Sequence, residues 1–413
     1  VTQHPHHTSH RTPAPPDPQQ SLHRRLAALR GPGRPPRPLD ARAVAALAGN
    51  PGCHRRALLD GAGVDKGAVA RTLGAPAPFG QSQFAFARGH AFETRLLADS
   101  GAELVRLLRE HLGGAAADVV VPELDADGPA GRTERTRLAL AEADRTAAPQ
   151  DGGEAAGQWT LLCHPLLELD VAGSPVRLEP DAVAVAPDGR RTVVEIKSFP
   201  ILDGSADPAK VGAAARQAAV YALALQRLGG SVTDGALLVC PKDFANLPTA
   251  AVLDLRKQQA AARRQLARLT RVAEIAESVP EGVSFDPDLP PEELAAAVAA
   301  VPAEYDPQCL AGCELAFHCR SQSRAAGEVT ALGRGTRGEL GGIPTVQEAL
   351  AAARGEAGDP SDPAVAALRE AARLRAEALV PAPPPPGPAA APAGSPPGEA
   401  PPREPAPREA GCR

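Results

Sequence analysis

Methionine is absent from this chain, and aromatic residues are scarce: one Trp, two Tyr and eight Phe in 413 residues. Lysine is sparse as well, and usage is heavy in Ala, Pro, Arg and Gly, a bias without bearing on mechanism. No run is long and apolar enough for a membrane span or a signal-peptide core. A cytoplasmic, reducing location is therefore the expectation. In such a compartment the seven cysteines are not expected to form a disulfide set. A strong charge of one sign is also missing. The formal net charge of −5 gives no global signal for nucleic acid. Internal repeats are not found. Apolar periodicity fails at both ends: residues 1–38 mix His, Pro, Gln and Arg, and residues 380–413 are Pro, Ala, Gly and Glu. Neither end carries enough apolar surface to fold, and both are expected to be disordered tails.

Between the ends, helical and strand patterns alternate. A short helix over 40–48 starts at Asp40, whose carboxylate suits a cap. Residues 88–112 place Phe92, Leu96, Leu97, Val105 and Leu108 at helical spacing. Residues 113–157 are rich in Gly, Ala, Asp and Arg and read as a loop-rich insertion. Strands are expected over 159–171, at 176–178 and at 231–240, around a hairpin. A helix should run from Asp207 or Pro208 to Leu228, another over 250–278, and a weaker one over 291–300. Strands clustered between helices, with a further strand after a crossover helix, predict an α/β fold: a central mixed sheet flanked by helices. The main domain spans 39–325, and a small helical extension spans 326–379.

The hairpin carries the chemistry. Residues 182–186 and 191–197 read as strands. Between them, Pro187 and Asp188 suit a type I turn, and Gly189 suits the left-handed position that follows. That three-residue loop makes Ala186 face Arg190. Carried along the strands, the register sets Asp181 opposite Glu195, with Lys197 on the same face. Two carboxylates and a lysine so placed suit a hard divalent cation and a water aimed at a phosphodiester. A two-residue turn would send the carboxylates to opposite faces.

These residues resemble the PD-(D/E)XK nuclease superfamily, and within it the RecB-like branch. Pro180-Asp181 and Glu195-Ile196-Lys197 match its signature. Gln217 and Tyr221, one helical turn apart, resemble the branch's Gln-x-x-x-Tyr motif. Arg88-Gly89-His90-Ala91-Phe92-Glu93 resembles its first-helix motif, with Glu93 where RecB-like members often have a metal-binding His. His90 is a weaker candidate for that role. The resemblance implies a restriction-endonuclease-like core with helical, cysteine-bearing ends. It implies Mg²⁺ or Mn²⁺ held by Asp181, Glu195, the Ile196 carbonyl and Glu93. It further implies that Lys197 orients or helps deprotonate the attacking water, and that Gln217 and Tyr221 position the strand. The implied substrate is DNA, single-stranded or with free ends, cut as an exonuclease would cut it. Protein partners in repair or defence, and no membrane, fit the same picture.

Cys309, Cys313 and Cys319 fall within one short stretch, and Cys53 lies far upstream. One Cys before the core and three after it resemble the iron–sulfur members of the branch, the AddB-type nucleases and CRISPR-associated exonucleases. Cys53-His54-Arg55-Arg56 is similar to the Cys-Pro-Arg-Arg start of the latter, with His54 in place of Pro. The resemblance implies a structural [4Fe-4S] cluster stapling the two ends of the core. Thiolate-rich sites suit zinc as well. Cys163 and Cys240 lie in apolar strands and are expected in the core. On the expected helix over 250–278, Lys257, Arg264, Arg268 and Arg271 share one face, as a phosphate-tracking stripe or a solvated surface. No aromatic residues are interleaved, so base stacking is not indicated. Two alternatives stay open: a non-catalytic nucleic-acid-binding or assembly module of this fold, and a zinc-stabilised nuclease acting on RNA.

Overall fold

A computed structural model describes residues 18–77, 83–113, 118–147, 158–243, 245 and 247–379. Its strands are β1 (Val119–Val120), β2 (Trp159–Cys163), β3 (Leu167–Val171), β4 (Ser174–Leu178), β5 (Ala182–Val185), β6 (Arg190–Ile196), β7 (Ser231–Pro241) and β8 (Pro248–Asp254). Six of them form one mixed sheet in the order β1-β2-β5-β6-β7-β8. β1 and β2 run parallel, as do β6 and β7, and the other neighbours are antiparallel. β3 and β4 form a separate hairpin.

The first four helices are α1 (Pro18–Arg30), α2 (Ala41–Gly49), α3 (His54–Gly61) and α4 (Lys66–Thr72). α5 (Gln83–Leu112) and α6 (Gly128–Ala147) precede most of the sheet. α7 (Pro208–Arg227) is the crossover between parallel β6 and β7, as a βαβ unit requires. α8 (Arg256–Leu266), α9 (Val272–Ser278), α10 (Pro291–Ala299), α11 (Ala316–Ala325) and α12 (Arg334–Leu340) follow. α13 (Val346–Ala353) and α14 (Pro363–Ala378) come last.

Both faces of the sheet are covered, which is why its strands read as near-continuous apolar runs. Ala182, Ala184, Val194 and Ile196 pack with Phe92, Leu96, Val105 and Leu108 of α5. Val183, Val185 and Val193 point the other way, into a cluster with Ala218, Ala222 and Leu225 of α7. On that second side the early helices meet the late ones. The Phe285 N–H donates to the Leu29 carbonyl at 2.7 Å, and Arg55 N–H to that of Pro302 at 2.9 Å.

The α/β class, the mixed sheet, the Asp40 cap and the crossover helix agree with the sequence reading, and four local expectations do not. Residues 18–38 are not a tail, because Leu26 and Leu29 of α1 are buried. The 113–157 insertion contains α6, whose Thr136, Leu140 and Ala143 are buried. Residues 88–112 are two helical pieces, with non-helical backbone at Ala98, Asp99, Ser100 and Gly101. A Cβ on Gly101 would stand 2.6 Å from Leu161 Cδ2, so the break lets the chain approach the sheet closely. Residues 250–278 are β8, then α8 and α9 separated by a turn. The Ala-rich start of that segment reads as helix by propensity, but pairing with β7 overrides it.

The chain divides into two compact units, Val1–Ala349 and Leu350–Arg413, rather than at residue 325. Within the second, Asp362 caps α14 by accepting from Ala364 N–H at 2.8 Å, and Val365 is buried. The expected tail at 380–413 and residues 1–17 lie outside the described residues.

Candidate functional site

Asp181, Glu195 and Lys197 come together as the turn chemistry requires. Ala186 N–H donates to Arg190 O at 2.9 Å and Gly189 N–H to Ala186 O at 2.8 Å, with Gly189 at φ +80°. The ladder pairs Ala182 with Val194 and Val185 with Arg191. Asp181 therefore precedes the last pair and Glu195 follows it, on opposed positions. Glu195 and Lys197 stand two and four residues after Val193, so their side chains face the α7 side of the sheet. Asp181 Oδ2 accepts the Ile196 N–H at 2.6 Å, which fixes its carboxylate across the hairpin.

Glu195 is fully buried, its Oε1 is held by the Lys197 ammonium, and its Oε2 has no hydrogen-bond partner. Burial pushes its pKa up to about 7; Lys197 pulls it back and Asp181 adds to the rise. Asp181 is also raised by burial, against Lys197 and the Ile196 N–H. Burial pulls Lys197 down, but Glu195 and Asp181 outweigh it and hold the ammonium above its ordinary value. The group is thus a tight cluster of charges in a poorly solvated place.

Glu93 reaches the same place from α5. Its carboxyl is raised by burial and by Asp181, against His164, His90 and Lys197. Close approach of this helix is possible at Gly89, where a Cβ would stand 3.4 Å from Ser198 Cβ. On α7, Gln217 Nε2 donates to Tyr221 Oη at 3.2 Å, and Tyr221 donates to the Glu179 carbonyl at 3.0 Å. Burial, then Glu195, raise the Tyr221 phenol, so it stays a neutral donor.

Sequence reasoning missed His164, Glu179 and Arg132. The His164 N–H donates to Asp181 O at 3.1 Å. Its ring lies 3.7 Å from Glu93 and 3.9 Å from Glu179. Arg132 of α6 donates to His164 O at 3.0 Å and to Glu179 Oε2 at 3.2 Å. His164, Arg132 and Cys163 line a cavity of about 290 Å³ with Val121, Pro122 and Leu124. Pairing of Cys163 with Ala182 in the sheet sets His164 beside Asp181, and no local sequence signal marks it. Cys163 is therefore half-buried at this cavity rather than in the core, while Cys240 is buried.

The four cysteines singled out by spacing are neighbours. Cys53 caps α3, Cys309 lies in a 3-10 turn, Cys313 precedes α11 and Cys319 lies on it. Burial raises Cys309, Cys313 and Cys319, Cys313 to about 12, and each also responds to the charge of Cys53. All cysteines among the described residues are free thiols. Asn50 Nδ2 donates to Cys309 Sγ at 3.5 Å and Arg55 Nη1 to Cys319 Sγ at 3.2 Å. His54 instead meets Thr270 Oγ1 at 3.2 Å, away from the thiols.

As placed, no three His, Cys, Asp or Glu side chains among the described residues stand close enough together to hold a metal ion. The donor types still fit: hard carboxylates around a buried, unsatisfied Glu195 in one place, thiols in the other.

The single helix that would set Lys257, Arg264, Arg268 and Arg271 on one face does not form. α8 ends at Leu266, leaving Arg268 in the turn and Arg271 as the cap of α9. Arg263 donates to Gln226 Oε1 at 2.9 Å, and Arg256 pairs with Asp254 at 2.5 Å. No helix among the described residues is long and apolar enough to cross a membrane.

No family model matches the chain, and no curated protein does. A solved structure described as "Crystal structure of SSO0001" aligns over 60% of this chain and 84% of its own, at 12% identity and a TM-score of 0.20. A superposition that loose carries no argument about this protein.

Proposed function

We propose that this chain is a metal-dependent nuclease of the RecB-like PD-(D/E)XK type. It hydrolyses DNA phosphodiester bonds, as an exonuclease on single strands or free ends, and works in the cytoplasm. The observation that carries the reading is Glu195: a fully buried carboxylate opposite Asp181, held at Oε1 by Lys197 and with no partner at Oε2. One ammonium offsets only one of the two carboxylates, Glu195 and Asp181, and a further cation would offset the other.

Asp181, Glu195 and Glu93, with the Ile196 carbonyl, would hold Mg²⁺ or Mn²⁺. When bound, the metal supplies Lewis-acid stabilisation of the phosphate oxygens and an acidified water. The chain's own residues do the rest. The Ile196 N–H keeps Asp181 turned toward Glu195. Lys197 remains an ammonium between two carboxylates, where it offsets charge developing on phosphorus and orients the water. Gln217 and Tyr221 brace the Glu179 carbonyl and would position the DNA strand. Cys53, Cys309, Cys313 and Cys319 are read as a structural [4Fe-4S] site joining residues near 50 to residues near 320.

Labelled DNA and RNA oligonucleotides, single- and double-stranded, test this with Mg²⁺ against EDTA. Cleavage of DNA with Mg²⁺ and none with EDTA is expected. Lys197→Ala and Asp181→Ala should abolish it while circular dichroism stays unchanged. Cleavage undiminished in both variants, or none by the wild type, overturns the assignment.

A further inference from the structure

Arg55 is a buried charge without an acid beside it. It is 5% exposed and lies on α3, two residues after Cys53. Its Nε donates to the Val301 carbonyl at 3.1 Å. Its Nη1 donates to Gln322 Oε1 at 2.9 Å and to Cys319 Sγ at 3.2 Å. No Asp or Glu among the described residues lies within ion-pair distance of it. The next residue makes the contrast: Arg56, equally buried, is paired with Asp60 at 3.0 Å.

A guanidinium keeps its proton inside proteins. Burial therefore leaves a full positive charge, and neutral oxygens solvate it without neutralising it. The other group it touches is a sulfur. Four neutral thiols would leave Arg55 uncompensated, whereas thiolates bound to a metal would not. A dication, or a cluster core of charge +2, with four thiolates carries a net negative charge and calls for such a partner.

We propose that Arg55 is the counter-charge of an anionic thiolate–metal centre built from Cys53, Cys309, Cys313 and Cys319, and that it helps retain the metal by donating to Cys319. The proposal rests on the reading of these cysteines as a cofactor site. It holds for zinc and for an iron–sulfur cluster, and the measurement separates them. In both cases Arg55 is a positioning residue.

The test compares the full chain, purified without oxygen, as wild type, Arg55→Gln and Arg55→Lys. Iron, sulfide and zinc per chain are measured, then the rate of metal loss to a chelator. Wild type should carry iron with sulfide, or zinc. Arg55→Gln should lose the metal at least about tenfold faster, as changes beside ligands commonly do. Arg55→Lys, which keeps the charge, should hold it nearly as long as wild type. A Gln variant with wild-type retention overturns the proposal, as does a Lys variant that loses metal as fast as the Gln variant. If the Gln variant gives no folded protein, the Lys variant decides: retention supports the counter-charge and rapid loss overturns it. Wild type with neither metal overturns the centre itself, while the nuclease reading still stands or falls on the oligonucleotide assay.

Discussion

Glu195 has the most consequential environment of any side chain in the protein. Its pKa of about 7 against an ordinary 4.5 comes first from burial. The folded, metal-free protein thus binds a proton that the unfolded chain has released between those values. Stability from this group is full below the unfolded pKa and is lost as pH rises through the folded one, an effect of about 3 kcal/mol. Asp181 and Glu93 are raised too and add to the same slope. Lys197, held above its ordinary value, stays charged over this range and contributes none of it. In EDTA, the melting temperature of wild type should fall as pH rises from about 5 to 8, and fall less steeply in Glu195→Gln. Parallel pH profiles by scanning fluorimetry would show that Glu195 is not the titrating group. The carboxylates were legible because a short loop set their register locally. His164 was not, because its place beside Asp181 depends on β2 pairing with β5 across the intervening β3–β4 hairpin, a contact that no local window contains.

Among the elements, the hairpin is the one whose local sequence leaves least freedom. Gly189 sits at φ +80°, where a β-branched side chain is strained. Gly189→Val should cost about 1–2 kcal/mol, seen in denaturant unfolding. Gly189→Asn should be tolerated, since Asn adopts that conformation more readily. If the Val variant unfolds at the wild-type midpoint, the loop does not hold the register as described. Elsewhere, propensity misled. Ala250 and Ala251 read as helix but pair with Val239 and Leu238 of β7. Arg- and Ala-rich α6 read as loop, yet Arg191 of β6 is buried against it with a 2.5 Å pair to Asp144. In both cases the deciding partner is distant in sequence, so no local window contains it.

At the level of the whole chain, both helical ends of the main unit fold back on each other. Arg25 donates to Val279 O at 2.7 Å, and Arg55 to Gln322 Oε1 at 2.9 Å. Each bond closes a loop of more than two hundred residues, which is costly in chain entropy unless many contacts share the closure. The composition of residues 18–38 gave no hint of this, because Pro, Gln and Arg dilute the Leu26 and Leu29 pattern. Leu29 is 0% exposed, and its carbonyl accepts from Phe285 N–H. Leu29→Ala should therefore cost about 2–5 kcal/mol, the range for emptying a buried leucine site. A residue in a solvated tail would change stability by less than about 0.5 kcal/mol. Equilibrium denaturation separates those outcomes, and a loss within the smaller range would return α1 to the tail that the sequence suggested. A loss in the larger range, with the Asp181–Glu195 hairpin unchanged in sequence, should also slow the DNA cleavage proposed for this site. α1 meets α9, α3 meets α9, and α2 packs on α7, the helix that carries Gln217 and Tyr221. The early helices would then act on the site through the packing of the element that braces it.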